Sequence, residues 1–142
     1  MIDYNELLEE AKKARENAYA PFSGFAVGAA LLTKEGNIYR GCNIESSVFS
    51  PTICAERVAL SKAISEGEKN FVSIAIVGAP LQEEPNEVCY PCGVCRQVFS
   101  EHVDMDEFEF VLNNHGEPLV TNLRELLPKT FVFEKKEQNS EQ

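Results

Sequence analysis

Clustered positive charge is what this chain most conspicuously lacks. Its 142 residues carry 13 Lys and Arg against 23 Asp and Glu, giving a net charge of -10 and an isoelectric point near 4.7. The basic pairs are confined to Lys12-Lys13 and Lys135-Lys136. Binding a phosphate backbone requires Lys and Arg gathered on one face to displace counterions, so no nucleic-acid partner is expected. The acidic residues are spread along the chain and read first as solubility. No apolar run approaches the ~18 residues of a membrane span, so no membrane association is expected either. The N-terminal stretch MIDYNELLEEAKKARENAY has neither the basic start nor the apolar segment of a signal peptide. These absences point to the cytoplasm, where thiols stay reduced.

Low-complexity tracts, internal repeats and linkers are missing too. With 44% hydrophobic and 25% charged residues, the composition is that of one ordinary domain over residues 1–142, with a tail expected to fray from about residue 134. At this size roughly two-thirds of the unfolded surface is buried on folding, enough for a core without disulfide staples. Five cysteines is an odd number, and Cys89, Cys92 and Cys95 fall within seven residues. In a reducing compartment such clustering suggests a metal more than disulfides.

The pattern of residues implies an α/β layered domain. Asp3 followed by Glu6 resembles a capping box, and Leu7, Ala11, Ala14 and Ala18 recur at helical spacing until Pro21. Strands are expected over Ala26–Thr33 and Ile38–Ile44, with a turn at Glu35-Gly36-Asn37. A second helix starts near Thr52 or Cys54, carries Ala55, Val58, Ala59 and Ala63, and ends at Gly67. The near-continuous apolar run Phe71–Gly78 suits a central strand covered on both faces. After an acidic loop, Leu81–Val88, a third helix opens at Pro91 and Cys92, with Cys95, Val98, Phe99 and His102 on one side. Phe108, Phe110 and Leu112 alternate as in a strand. A short helix over Thr121–Leu127 and a last strand over Thr130–Phe133 complete the expectation.

Two fragments carry chemistry: Cys54-Ala55-Glu56-Arg57 and Pro91-Cys92-Gly93-Val94-Cys95. A CxxC at a helix start brings two sulfurs together where the helix dipole favours thiolates. Alone it is equally a redox motif or half of a structural zinc site. Cys54, at another expected helix start, offers a third ligand, and three protein ligands leave the open position typical of catalytic zinc. Glu56 lies close enough to move protons between an activated water and a substrate without binding the metal. Arg57 and the helix dipoles can offset the negative charge of three thiolates. Cys89, before Pro91, reads as a spare thiol, and Cys42 as a small core residue. A cysteine-histidine hydrolase built on His102 or His115 is a weaker reading, since nucleophile and base must lie within hydrogen-bond reach.

The combined pattern resembles the small, single-domain cytidine deaminases over about Ala20 to Phe131. The likeness rests on Phe22-Ser23-Gly24-Phe25 leading into Val27-Gly28-Ala29-Ala30-Leu31, on Gly41-Cys42-Asn43-Ile44-Glu45, on the two cysteine fragments (the second extending to Gln97), and on Glu125-Leu126-Leu127-Pro128. The resemblance implies that Cys54, Cys92 and Cys95 hold one zinc ion per chain and that Glu56 shuttles protons. It further implies that Asn43 and Glu45 bind the ribose hydroxyls, that Phe25 packs on the pyrimidine ring with Ala55 beside it, and that Phe131 reaches a neighbouring subunit's site. The implied fold is a three-layer domain with a mixed sheet of about five strands and the zinc-bearing helices on one side. The implied assembly is a homotetramer acting on a pyrimidine nucleoside, cytidine or deoxycytidine, in pyrimidine salvage.

Ser46–Ile53 departs from the family's usual pattern, which carries Asn or a similar residue after the glutamate and tyrosine where Phe49 stands. Pro51 stiffens the approach to Cys54. Three alternatives follow: a deaminase of modified cytosine nucleosides, including blasticidin-S; a non-catalytic structural zinc module; and a polynucleotide deaminase, which the acidic charge disfavours.

Overall fold

The computed structural model describes residues 3–136. Its elements, in order, are α1 (Tyr4–Arg15), β1 (Phe25–Thr33), β2 (Ile38–Cys42), α2 (Ala55–Ser65), β3 (Phe71–Pro80), α3 (Gly93–Ser100), β4 (Glu109–Asn114), β5 (Glu117–Asn122) and α4 (Leu123–Leu126). The strands form one mixed sheet in the order β2-β1-β3-β4-β5, with β3 and β4 parallel and every other neighbouring pair antiparallel.

Alternation along the strands builds two cores. Ala29 and Leu31 of β1, Ile74 and Ile76 of β3, and Phe110 and Leu112 of β4 face α2 and α3, together with Ala55, Ala59, Leu60, Ala63, Phe99 and Phe108. Ala30, Leu32, Ala75, Val77 and Val111 point the other way, onto Leu7, Leu8 and Ala11 of α1. The result is three layers, with both cysteine-bearing helices on one side of the sheet, as expected.

Two glycines decide how closely the layers meet. A Cβ on Gly28 would stand 2.1 Å from the Ala11 carbonyl, so α1 lies directly on β1. A Cβ on Gly41 would stand 2.4 Å from the Ala55 carbonyl and 2.5 Å from the Ala59 nitrogen. The bare backbone of β2 therefore sets the depth at which the first turn of α2 rests, and with it the position of Cys54 and Glu56.

Several sequence expectations need correction. The first helix ends at Arg15, leaving Ala18 outside it. Here tertiary pairing wins: the Tyr19 N–H donates to the Asn43 carbonyl and the Tyr19 carbonyl accepts from Glu45, each at 2.9 Å. The fifth strand is Glu117–Asn122, not Thr130–Phe133, which forms no strand. That strand is paired by a hairpin turn in which His115 and Gly116 both have positive φ, 52° and 91°, the form that matches strand twist. The helix expected over Thr121–Leu127 is trimmed to Leu123–Leu126 because the Asn122 side chain caps it, accepting from the Glu125 N–H at 3.0 Å. The expected frayed tail lies largely outside the described residues.

Candidate metal centre

Cys54 and Cys92 occupy equivalent places. Each is the N-cap of its helix in extended backbone, and neither side chain makes a capping hydrogen bond. Both sulfurs are thus free while the first-turn amides and the positive end of each helix dipole lie beside them. Cys95 follows one turn along α3 and is fully buried. The three sulfurs lie within 4.8 Å of one another, and those of Cys54 and Cys92 are 3.6 Å apart.

The electrostatics favour a shared thiolate cluster. The Cys54 thiol is pushed down to about 5 by hydrogen bonding with Cys95 and by the Arg57 guanidinium, whose Nη2 is 3.7 Å from Cys54 Sγ. Cys95, the donor partner in a buried pair, is pushed strongly up. A soft divalent cation is the group that satisfies all three at once, and sulfur donors in a near-triangular set fit zinc. Arg57 Nε is buried with no hydrogen-bond partner among the described residues.

Glu56, in the first turn of α2, is 4% exposed. Burial, with a further push from the Cys54 charge, raises its carboxyl to about 7. That value suits a group that both accepts and releases protons near neutral pH. Cys89 stands outside the cluster and its thiol is pushed up to about 12 by burial and by the charges of Glu56 and Cys54. Neither histidine joins the sulfurs: His115 forms a hairpin tip, and the cluster contains only cysteine.

Residues 1–110 match the model of the cytidine and deoxycytidylate deaminase zinc-binding region. The chain belongs to that family. A cytidine deaminase of Sporosarcina psychrophila is 44% identical over 133 residues, covering 94% of each chain. The crystal structure of cytidine deaminase from Burkholderia pseudomallei superimposes with a TM-score of 0.83 at 43% identity, covering 92% of this chain and all of that one. A blasticidin-S deaminase of Bacillus cereus is 37% identical over 109 residues, 75% of this chain and 76% of that protein. Zinc is thus the cofactor of the family, and the Cys54, Cys92 and Cys95 cluster can bind one ion.

The other residues singled out in the sequence divide into two groups. Phe25, Asn43 and Glu45 are brought together. Asn43 Nδ2 donates to the Phe25 carbonyl at 2.8 Å, and its Oδ1 accepts from the Val27 N–H at 2.9 Å. Glu45 Oε1 accepts from the backbone N–H groups of Phe22 and Ser23 at 2.9 and 3.1 Å. A Cβ built on Gly78 would meet both Cys89 Sγ, at 2.8 Å, and Phe25 Cε2, at 3.0 Å, so Gly78 leaves room where Phe25 and Cys89 converge. Ala55 is fully buried between Cys54 and Glu56. Phe131 stands apart. It is 67% exposed, and its carbonyl accepts from Gln97 Nε2 at 3.2 Å. It lines a groove with Ser100, Met105 and Phe133 that contains none of the thiols.

One positioning contact was not read from the sequence. Arg96 donates from Nε to the Pro91 carbonyl at 2.8 Å and from Nη1 to the Leu126 carbonyl at 2.7 Å. It therefore ties the approach to Cys92 to the end of α4. The only available signal was a basic residue following Cys95, too common a feature to be decisive.

Proposed function

We propose that the protein hydrolyses cytidine and deoxycytidine to uridine and deoxyuridine with release of ammonia. The observation that carries this reading is a buried carboxyl beside three converging sulfurs. In it, Cys54, Cys92 and Cys95 hold one zinc ion, which when bound supplies the Lewis acidity that makes water a nucleophile at neutral pH. Glu56 takes the proton from that water and delivers it to the ring nitrogen beside the amine-bearing carbon. Addition of hydroxide makes that carbon tetrahedral. Glu56 then takes the proton of the new hydroxyl and passes it to the departing nitrogen; the carbon-nitrogen bond breaks as the carbonyl forms, so that one water is consumed and one ammonia released.

The remaining chain binds and orients. Phe25 packs on the pyrimidine with Ala55 beside it, Asn43 and Glu45 hold the sugar hydroxyls, and Arg57 offsets the negative charge of three thiolates. The apolar side chains at the surface support a homotetramer with Phe131 serving a neighbouring site: Phe49 is 88% exposed, and Phe131, Val132 and Phe133 are 67%, 81% and 77% exposed. The free thiols suit the reducing cytoplasm, and the reaction would serve pyrimidine salvage.

A second reading, deamination of modified cytosine nucleosides, is favoured by the blasticidin-S deaminase relative. A structural zinc module would call for a fourth ligand, and the cluster found among the described residues has three. The test is the purified, zinc-loaded protein assayed for ammonia with cytidine, deoxycytidine and blasticidin-S. Turnover of the first two with little of the third is expected. Turnover of blasticidin-S alone would transfer the assignment to the second reading, and turnover of none would remove both.

A further inference from the structure

The segment joining α1 to β1 is held by the side chain of Glu45. The chain turns at Pro21–Ser23, with the Gly24 N–H donating to the Ala20 carbonyl at 3.0 Å, and the Gly24 carbonyl accepts from Leu81 of the segment after β3 at 2.8 Å. While Glu45 Oε1 takes the two backbone N–H groups of Phe22 and Ser23, Oε2 takes the Ser23 hydroxyl in a very short hydrogen bond. The same Ser23 Oγ accepts from the Phe25 N–H at 3.1 Å. Asn43 secures the opposite side of Phe25 through its carbonyl. Ser23 therefore links the aromatic residue to the carboxylate, and Asn43 links it to the strand.

Counting hydrogen-bonding capacity shows what is left. A carboxylate has about four lone-pair positions, two on each oxygen. Backbone donors occupy both on Oε1. On Oε2 one is occupied by Ser23, and one remains for a ligand. Two bonds to Oε1 hold that oxygen but leave the carboxyl plane free to tilt about it. The Ser23 hydroxyl is the contact that fixes the direction of the remaining lone pair.

We propose that Ser23 is a positioning residue for substrate recognition, its hydroxyl aiming the one free lone pair of Glu45 at a sugar hydroxyl while holding the backbone of Phe25. The inference rests on the reading of Asn43 and Glu45 as the sugar-binding pair. The same contact is the largest cause lowering the Glu45 carboxyl from its ordinary value. Ser23 is exposed and touches no core residue in its hydrogen bonding, which separates its role from general folding.

The test compares Ser23→Ala and Ser23→Thr in the zinc-loaded full chain, on cytidine and on 2′,3′-dideoxycytidine, which offers Glu45 no hydroxyl on the lower edge of the sugar. Losing the aim of one charge-assisted hydrogen bond should raise KM for cytidine about tenfold while leaving kcat within about twofold. The kcat/KM for the dideoxy substrate should change by less than about threefold, and Ser23→Thr, which keeps the Oγ, should restore cytidine KM to within about threefold. Should Ser23→Ala fail to fold, Ser23→Gly removes the same hydroxyl at a turn and is read the same way. An equal loss on both substrates, or no loss on cytidine, would overturn the role of Ser23 while leaving the deaminase reading intact. A wild-type protein that turns over the dideoxy substrate as well as cytidine would overturn the sugar-binding pair, and the inference with it.

Discussion

The cysteine cluster and the proposed sugar side of the site are built by different means. On the metal side, two helix N-termini present sulfurs that make no capping bonds, and a third cysteine follows one turn later. The cysteines sit on or at the start of helices that the core on that face of the sheet holds in place. On the sugar side no helix is involved. Asn43 and Glu45 lie just past the end of β2 and are held by side-chain bonds to the backbone of residues 22–27. The first arrangement is rigid because apolar packing fixes it. The second is ordered by mutual hydrogen bonding, in which each ligand-binding group also supports its neighbour. Substitutions on the metal side should therefore abolish function, whereas those on the sugar side should grade it.

The largest contrast should come from Cys95→Ala. The side chain is small and the fold should survive, yet zinc content should fall from about one per chain to near zero and activity by more than about a thousandfold. Elemental analysis beside a thermal melt checks this, and retained zinc would show that Cys95 is not a ligand. Asn43→Ala should leave zinc content unchanged. Because it strips both the Phe25 carbonyl and the Val27 N–H of partners, it should raise KM by roughly ten- to a hundredfold, with a smaller fall in kcat. Equal loss of zinc in this variant would erase the distinction between the two sides.

Gly41→Ala sharpens the comparison by moving the metal side without touching a ligand. The added methyl would collide with the backbone of Ala55 and Ala59, so α2 must lift from the sheet at a cost of about 1–3 kcal/mol. A lower melting temperature together with weaker zinc retention is expected; an unchanged zinc affinity would mean that the seat of α2 does not control the site.

The ion pair between Arg40 and the half-buried Glu10, bonded at 2.5 Å, should matter least. Arg40 holds the Glu10 carboxyl below its ordinary value of 4.5. A depressed carboxyl stabilises the fold above the unfolded value and loses that contribution as the pH falls through the lower folded value. Arg40→Ala should therefore cost about 0.5 kcal/mol at pH 7 and progressively less as the pH falls below 4.5. Denaturant melts at the two ends of that range measure it.

The same division explains what could be read from the sequence. Helix starts at Cys54 and Cys92, the central strand from Phe71 and the alternation through Phe110 are local patterns, and each is found in the structure. The strand at Glu117–Asn122 escaped because it begins with Glu-Pro and buries none of its residues fully, which removes the alternation that marks a strand. Thr130–Phe133 has the apolar composition of a strand but no neighbour to pair with among the described residues. Tyr19 left the helix for a partner 25 residues away, a contact that spacing along the chain does not encode. On the sugar side, residue types alone read as a turn following a strand; only the resemblance singled out Asn43 and Glu45, and nothing in it singled out Ser23 as their support.

We take Glu56 to carry protons at a metal held by other residues. The most direct test is Glu56→Ala, with zinc content and steady-state turnover of cytidine measured on the same preparation. Turnover should fall by about a thousandfold or more while about one zinc per chain is retained. Undiminished turnover, or loss of zinc in parallel with activity, would contradict it.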